Sequence, residues 1–147
     1  MQAQARAQPN IALIKYWGKR DLEKNLPAVG SISVTLADLY SDMTVEIDAS
    51  LREDRLLVNG HESHSMLARV SSCVSNVAGS DRPAVKVSSE SNFPIAAGLA
   101  SSASAFAALV VASDAAFKLG HSQEELVNLA GRASGSAARS LAGVQAF

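Results

Sequence analysis

The centre of the sequence reads Pro94-Ile95-Ala96-Ala97-Gly98-Leu99-Ala100-Ser101-Ser102 and continues into an Ala-rich segment from Ala103 to Leu119. This segment predicts a long helix that Gly120 ends. Small residues before a helix let the backbone approach a phosphate, and the helix start offers unpaired N–H groups and a positive dipole end. The stretch therefore favours an anion site in which Ser101 and Ser102 supply hydroxyls. An alternative that these residues leave open is a small-residue helix packed closely against a sheet.

Length and composition limit the classes of protein to which the chain can belong. Its 147 residues suit one domain, and a hydrophobic content of 48% allows a real core. With 13 basic and 14 acidic residues the net charge is −1, which argues against broad binding to nucleic acid or to an anionic membrane. Any anion must therefore bind at a local arrangement of side chains.

The expected compartment is the cytoplasm. The single cysteine, Cys73, excludes an internal disulfide and favours a reducing environment. The N-terminus lacks the apolar region of a signal peptide. The apolar stretch 103–112 is shorter than the roughly 20 residues that a membrane span needs.

Hydrophobic spacing predicts a mixture of strands and helices. The predicted strands are 32–47 with a polar break at 40–42, 55–58 before an Asn59-Gly60 turn, 84–87 before a run of small residues that starts at Ser88, and 143–147. The predicted helices are 64–77 closed by Gly79, 103–119, one that starts from the capping box of Ser122 and Glu125, and 136–141. Residues 131–135 are expected to interrupt the helical pattern.

A second cluster lies in the N-terminal stretch Asn10–Asp21, which contains the only Trp of the chain. In a strand, Lys15, Trp17 and Lys19 share one face. Two lysines on one side form a local positive site for a phosphate or a carboxylate. A solvated edge with a packed Trp explains the same residues equally well.

A third cluster is the segment Ser134-Gly135-Ser136-Ala137-Ala138-Arg139-Ser140. If Ser136 opens a helix, Arg139 lies one turn further on, near the same face. Hydroxyls, free N–H groups and a forked guanidinium suit a phosphate or a carboxylate. An N-capping serine beside an unrelated surface arginine is the alternative.

No metal site is predicted. His61, His64 and His121 are not grouped with other ligand types, so a zinc site is not indicated. Cys73 falls on the apolar face of a predicted helix, which favours core packing over nucleophilic catalysis.

The last residues are apolar and have no polar tail. Val144 and Phe147 predict a fold that is cut before completion; a natural edge strand is the alternative.

Taken together, these clusters resemble the diphosphomevalonate decarboxylases, a family of the GHMP kinase superfamily. The phosphate loop from Pro94 to Ser102 is typical of the superfamily, and the more specific motifs follow. They are Asn10-Ile11-Ala12, Lys15-Tyr16-Trp17-Gly18-Lys19-Arg20-Asp21, Asn25-Leu26-Pro27, Ser31–Leu36, Glu90–Pro94 and Gly135–Ser140. The resemblance implies a two-layer α+β fold, that of a GHMP kinase N-terminal domain, similar to the second domain of ribosomal protein S5 and occupying residues 1–147.

The resemblance also implies an activity and the roles of individual residues. Enzymes of this family use ATP, with Mg²⁺, to phosphorylate the 3-hydroxyl of mevalonate 5-diphosphate; loss of phosphate and CO2 then gives isopentenyl diphosphate. Residues Pro94, Gly98, Leu99, Ala100, Ser101 and Ser102 would hold the ATP phosphates, with Ser102 also acting in catalysis. Lys15 would lie near the transferred phosphate, and Arg139 would bind the substrate carboxylate. Asn10 would order the groups around it, and Tyr16, Lys19, Ser134 and Ser136 would hold the diphosphate.

Three hypotheses about the function remain open. The first is the decarboxylase, a homodimer in its intact form, of which this chain is the N-terminal half; within it the substrate is a diphosphate or a monophosphate. The second is a related kinase that phosphorylates without decarboxylation, and the third is a non-catalytic fragment. Enzymes of the family are roughly twice this length, and no segment here matches their catalytic Asp, so the chain alone is expected to be inactive.

Overall fold

The computed structural model describes residues 1–14, 19–23, 26–27, 32–94, 101–141 and 145–146. The strands in these ranges are β1 (Gln2–Ala7), β2 (Asn10–Ile14), β3 (Lys19–Asp21), β4 (Leu26–Pro27), β5 (Ile32–Thr35), β6 (Ser41–Ile47), β7 (Arg55–Val58), β8 (His61–Glu62), β9 (Val85–Ser91) and β10 (Gln145–Ala146). The helices are α1 (Leu67–Ala78), α2 (Ser101–Phe117), α3 (Gln123–Ala133) and α4 (Ala137–Ser140).

The main sheet has six strands in the order β10-β1-β6-β9-β7-β8. Its strands are antiparallel except for β7 and β9, which are parallel and are connected through β8 and α1. Two small ribbons, β2-β5 and β3-β4, lie outside it. The predicted α+β fold is confirmed, with helices packed on one sheet.

Helix α2 is the centre of the core. It packs against β1 and β6, and α1, α3 and α4 pack against it. Its residues are buried on several sides, including Ala107, Leu109, Val110 and Ala112 at 0% exposure. Because neighbours surround the helix, it carries no single apolar stripe, and its many Ala side chains let the sheet approach closely.

Strand β1 was not predicted. Its buried positions are Ala3, Ala5 and Ala7, which alternate with half-exposed polar residues. Alanine is depleted in strands, so its alternation with polar residues does not predict a strand from the sequence alone. The three alanines are buried because α2 packs on this strand.

The predicted strand 32–47 is two strands in different sheets. Strand β5 pairs with β2 in a ribbon, whereas β6 pairs with β1 and β9 in the main sheet. The polar break predicted at residues 40–42 lies too close to the C-terminus, because Ser41 and Asp42 already belong to β6. Asp42 accepts hydrogen bonds from the guanidinium of Arg6 on β1, at 2.7 Å from Nε to Oδ1, which makes a polar residue acceptable in the strand.

Strand β9 is longer than predicted and continues to Ser91. The serines at its end alternate as the valines before them do, so Ser89 and Ser91 continue the face of Val85 and Val87. The predicted run of small residues therefore starts within a strand.

The local helix and turn signals are confirmed. Helix α1 buries Val70, Cys73, Val74 and Val77, and it ends at Gly79 with φ 89°. Burial raises the pKa of the Cys73 thiol to about 12, which agrees with a packing role. At the start of α3, the capping box of Ser122 and Glu125 is formed.

One helix boundary was wrong. Helix α3 continues through Gly131 to Ala133, and the interruption is confined to residues 134–136. Ser134 has extended backbone angles, φ −154° and ψ 126°, which end the helix there, while its N–H still donates to the carbonyl of Ala130. A Cβ on Gly131 would lie 3.9 Å from the Cβ of Ala138, so the helices pass close together at this point.

The β2-β5 ribbon presents apolar side chains to solvent. Ile11 lies opposite Val34, and Ile14 lies opposite Ile32, so all four share one face of the ribbon. They are between 43% and 58% exposed. The shared strand face of Lys15, Trp17 and Lys19 stays a prediction, since residues 15–18 lie outside the described ranges.

None of the helices within the described ranges is both long enough and apolar enough to cross a membrane.

Candidate functional site

A cavity of about 350 Å³ opens beside the first turn of α2. Its apolar side is formed by Met43, Leu56, Val58, Met66, Val70, Ala105, Phe106 and Leu109, and its hydroxyls come from Ser63, Ser65, Ser89, Ser91, Ser101 and Ser102. The volume falls within the range of small-molecule sites, about 300–1,000 Å³. The apolar lining suits a flat ring system, and the polar end lies at the start of the helix.

The predicted phosphate-binding residues are described in part. Ser101 is the first residue of α2, two residues earlier than the helix was predicted to begin, and Ser101 and Ser102 are both half-buried on the cavity wall. Pro94 is exposed and follows the buried Phe93. Gly98, Leu99 and Ala100 lie outside the described residues.

A chain of serine hydroxyls connects the sheet to this helix start. The Ser41 hydroxyl lies 2.8 Å from that of Ser104 and 3.0 Å from that of Ser91, and Ser104 Oγ donates to the Ser101 carbonyl at 3.2 Å. Ser41 and Ser104 are completely buried. These bonds tie the first turn of α2 to β6 and β9, and sequence reasoning did not single them out. The sequence pattern that could have indicated these bonds is the alternation of Ser89 and Ser91 after Val85 and Val87, which places hydroxyls on the buried face of the strand.

Helix α1, which supplies Val70 to the cavity wall, also contacts an ion pair between Asp54 and Arg82. Arg82 donates from Nη1 to Asp54 Oδ1 at 2.9 Å, and the Ser71 hydroxyl donates to Asp54 Oδ2 at 2.6 Å. Burial opposes ionisation of Asp54, but the hydrogen bonds from Arg82, Ser71 and the Val85 N–H outweigh it and lower its pKa to about 2.

The third sequence cluster meets the first residue of β2. Asn10 is 2% exposed, and its Nδ2 donates to Ser140 Oγ at 2.7 Å and to the Ser136 carbonyl at 3.3 Å. Its Oδ1 accepts from Arg139 Nε at 3.2 Å. Tertiary structure therefore brings together Asn10 and Arg139, two of the residues predicted to contact substrate. Ser134 and Ser136 are adjacent, with their hydroxyls 3.4 Å apart in the turn between α3 and α4.

The remaining predicted residues are not placed. Lys15 and Tyr16 lie outside the described ranges, and for Lys19 only its position in β3 is described. In the part of the chain that the structure covers, no group of three or more His, Cys, Asp or Glu side chains could hold a metal ion.

The fold and these two polar sites define the class of protein. The six-stranded sheet with a central helix and a cavity at the helix N-terminus is that of a GHMP kinase N-terminal domain. The family model described as "Diphosphomevalonate decarboxylase-like N-terminal domain" matches residues 7–146. The chain belongs to this family.

Similar proteins of known identity have longer chains. Diphosphomevalonate decarboxylase of Ganoderma lucidum is 45% identical over 159 residues, which is 97% of this chain and 40% of the relative. The mevalonate diphosphate decarboxylase of Enterococcus faecalis, in a structure described by its "mevalonate diphosphate mediated ATP binding mechanism", superposes with a TM-score of 0.85 at 43% identity. That match covers 95% of this chain and 44% of the other.

One similar structure contains ligands. It is described as "MDDEF in complex with MVAPP, AMPPCP and Magnesium", and it matches with a TM-score of 0.84 and 43% identity over 95% of this chain and 44% of that chain. The chain thus spans less than half the length of these relatives.

Proposed function

We propose that this chain is the ATP- and substrate-binding domain of an ATP-dependent decarboxylase that converts mevalonate 5-diphosphate into isopentenyl diphosphate, ADP, phosphate and CO2. The observation that carries the proposal is the packing of α4 on α2. Helix α4 carries Arg139, whose guanidinium is oriented by Asn10, and α2 is the helix whose N-terminus borders the cavity. A carboxylate site and a nucleotide phosphate site on one small domain match an enzyme that brings ATP to an acidic substrate.

The cavity suits the nucleotide. Its apolar lining takes the base, while the hydroxyls and N–H groups at Ser101 and Ser102 meet the phosphates. A helix N-terminus binds such an anion without a nearby lysine, which fits the net charge of −1 on the chain. Mg²⁺ would be held mainly by phosphate oxygens, because it keeps several waters and needs few protein ligands. The loop residues Pro94, Gly98, Leu99 and Ala100 complete this site in the proposal.

The second site suits the acidic substrate. Arg139 presents a planar guanidinium that can form two parallel hydrogen bonds to a carboxylate, and Asn10 holds its Nε end. Ser134 and Ser136 supply two neighbouring hydroxyls for the diphosphate. Tyr16 and Lys19 are proposed to extend the diphosphate site.

The chemistry needs positive charge close to the 3-oxygen. Transfer of the ATP γ-phosphate to the tertiary hydroxyl makes that oxygen a leaving group. When the C–O bond breaks, the C–CO2 electron pair forms the new double bond. Lys15 is proposed to stabilise the charge on the transferred phosphate, Ser102 to position it, and Arg139 to hold the carboxylate until CO2 departs.

The proposal extends to the larger assembly. Residues 1–147 form one domain, and the rest of the enzyme, which this chain does not contain, supplies the acidic residue that takes the 3-hydroxyl proton. The intact enzyme is a cytoplasmic homodimer in the mevalonate pathway of isoprenoid biosynthesis.

Isothermal titration calorimetry of the 147-residue chain with Mg-ATP tests the nucleotide site. The double variant S101A/S102A is expected to weaken ATP binding by about 5- to 150-fold, because it removes two hydroxyl contacts of about 0.5–1.5 kcal/mol each. Ser72→Ala, at an exposed serine of α1, is the matched control and should bind as the wild type does. Unchanged affinity in the double variant would remove the α2 start from the site.

A second titration tests the substrate site. Mevalonate 5-diphosphate and mevalonate 5-phosphate are compared, with and without a non-hydrolysable ATP analogue. Tighter binding of the diphosphate supports the proposal, whereas preference for the monophosphate would change the substrate.

A further inference from the structure

The apolar face of the β2-β5 ribbon carries most of the large hydrophobic side chains that are exposed in the described part of the chain. Of eight such side chains, the five that belong to the ribbon are Ile11, Leu13, Ile14, Ile32 and Val34. The other three, Met1, Leu22 and Leu119, lie in separate segments. Single exposed apolar residues are normal on a protein surface, whereas a contiguous apolar patch marks an interaction site.

An irregularity in β2 gathers these side chains on one side of the ribbon. Successive residues of a strand point to opposite faces, so Ile11 and Ile14 would lie on opposite faces of a regular strand. The register shifts by one residue between Ala12 and Ile14, which makes Leu13 an extra residue and returns Ile14 to the face of Ile11. The shift therefore enlarges one apolar face instead of dividing it between two.

The face of the main sheet that points away from the helices has a different character. Polar side chains of β1, β6 and β9 cover it, and across these strands Arg6 forms an ion pair with Asp42 and Lys86 with Glu46. Paired charges of this kind are compatible with water. Removal from water therefore gains more at the ribbon face than at the outer face of the main sheet.

We propose that the ribbon face is the docking surface for the C-terminal domain that the diphosphomevalonate decarboxylases have and this chain does not contain. The family model that matches the chain describes an N-terminal domain. The match covers 40% of the Ganoderma lucidum relative, so more than half of that protein lies outside it. A partner of this size is large enough to cover the ribbon.

A second copy of the chain fits the face less well. Five partly exposed side chains offer less area than the about 800 Å² per partner that a stable interface between separate chains buries. A domain that is joined through the polypeptide needs a smaller interface, because the connection keeps its effective concentration in roughly the millimolar range. The size of the patch therefore favours a connected domain.

The ribbon also places this surface beside the proposed carboxylate site. Asn10 is 2% exposed and its side chain holds Arg139, whereas the next residue, Ile11, is 43% exposed on the opposite face of the strand. Lys15 follows Ile14 directly in the sequence. A domain docked on the ribbon brings its acidic residue to this strand, and this consequence rests on the proposed function.

Cysteine labelling tests the docking. The isolated 147-residue chain is compared with a chimera in which it replaces the matching N-terminal part of the Ganoderma lucidum relative. Leu13→Cys should react with N-ethylmaleimide about 10-fold more slowly in the chimera, the effect of a face that is covered about 90% of the time. Leu119→Cys, at an exposed leucine outside the ribbon, is the control and should react equally in both proteins. Burial raises the pKa of the Cys73 thiol to about 12, so labelling of Cys73 reveals a chimera that is not folded.

A charged residue in the ribbon face gives an independent readout. Val34→Asp should speed the labelling of Leu13→Cys in the chimera by about 3-fold or more, because burial of a carboxylate opposes docking. Val34 is 49% exposed, so the same substitution should leave the urea midpoint of the isolated chain unchanged. The matched control is Leu119→Asp, which should leave the labelling in the chimera slow.

Three outcomes separate the docking surface from its alternatives. Equal labelling of Leu13→Cys in the isolated chain and in a folded chimera overturns the proposal. Sedimentation velocity should show a monomeric isolated chain at micromolar concentration, and a stable dimer that Val34→Asp dissociates would assign the face to a second copy. A chimera that protects Leu13→Cys without decarboxylating mevalonate 5-diphosphate supports the docking surface while the proposed function fails, and an active chimera without protection shows the reverse.

Discussion

The side-chain oxygen of Asn10 accepts a hydrogen bond from Nε of Arg139 at 3.2 Å, although 129 positions separate the two residues. The amide group of Asn10 is itself oriented by its bonds to Ser140 and Ser136, both in the α4 segment. The first residue of β2 therefore holds α4 in place and sets the direction of the Arg139 guanidinium. Stability and the proposed carboxylate site depend on the same buried side chain.

Asn10→Ala should destabilise the chain by about 2–3 kcal/mol, because the buried Ser140 hydroxyl loses its amide partner and Arg139 Nε and the Ser136 carbonyl each lose one hydrogen bond. Urea unfolding followed by circular dichroism measures this change. The control is Asn128→Ala on the exposed side of α3, expected to stay within about 0.5 kcal/mol of the wild type. Equal effects at the two positions would mean that the Asn10 contacts contribute nothing specific.

Arg139→Lys should not be conservative in an active enzyme that contains this domain. Lysine lacks the Nε–H that reaches Asn10 and cannot form two parallel bonds to a carboxylate. Loss of such a charged contact costs about 1.5–3 kcal/mol, or roughly 10- to 150-fold in kcat/KM. Steady-state kinetics with mevalonate 5-diphosphate measure the effect.

Arg132→Lys is the matched control for this substitution. Arg132 is exposed in the last turn of α3, so its replacement should leave kcat/KM unchanged. Kinetics of Arg139→Lys close to those of the wild type would exclude Arg139 from the site.

The Asp54–Arg82 pair should make stability depend on pH in the acid range. The pKa of Asp54 is lowered from 3.8 to about 2 in the folded chain, so folding favours the ionised form. The stabilisation is complete above about pH 5 and is lost as the pH falls from about 4 through 2. A shift of this size, reduced by solvent screening, corresponds to about 1–2 kcal/mol.

Asp54→Asn tests the pH dependence. The difference in free energy of unfolding between the wild type and this variant should be largest near pH 7 and should shrink toward pH 2. Asp81→Asn, at an exposed carboxylate, should follow the wild type at each pH. A difference between wild type and Asp54→Asn that does not change with pH would contradict the assignment.

The isolated chain should bind its ligands without turning them over. A binding site that lacks the group accepting the 3-hydroxyl proton forgoes about 10²- to 10⁴-fold in rate. A coupled assay for ADP release with mevalonate 5-diphosphate, run on chain of verified mass, measures this. Robust substrate-dependent production of ADP and CO2 would show that a carboxylate such as Asp21 or Asp114, or one from a second chain, is recruited.

The sequence by itself predicted the elements that depend on local signals. Helix α1 with its Gly79 end, the capping box of Ser122 and Glu125, and the long α2 were all found, because spacing and capping act within a few residues. The family motifs likewise lie in short stretches.

The relationships between distant segments were decided only by the tertiary structure. Strand β1 is marked by alanines that become a core face only under α2, and residues 32–47 divide because β5 and β6 find different partners. The contact of Asn10 with Arg139 and the hydrogen bonds of Ser41 to Ser91 and Ser104 join side chains from separate elements. Burial decides these contacts, since a polar side chain removed from water must be paired, and the sequence does not record which distant group is close enough to pair with it.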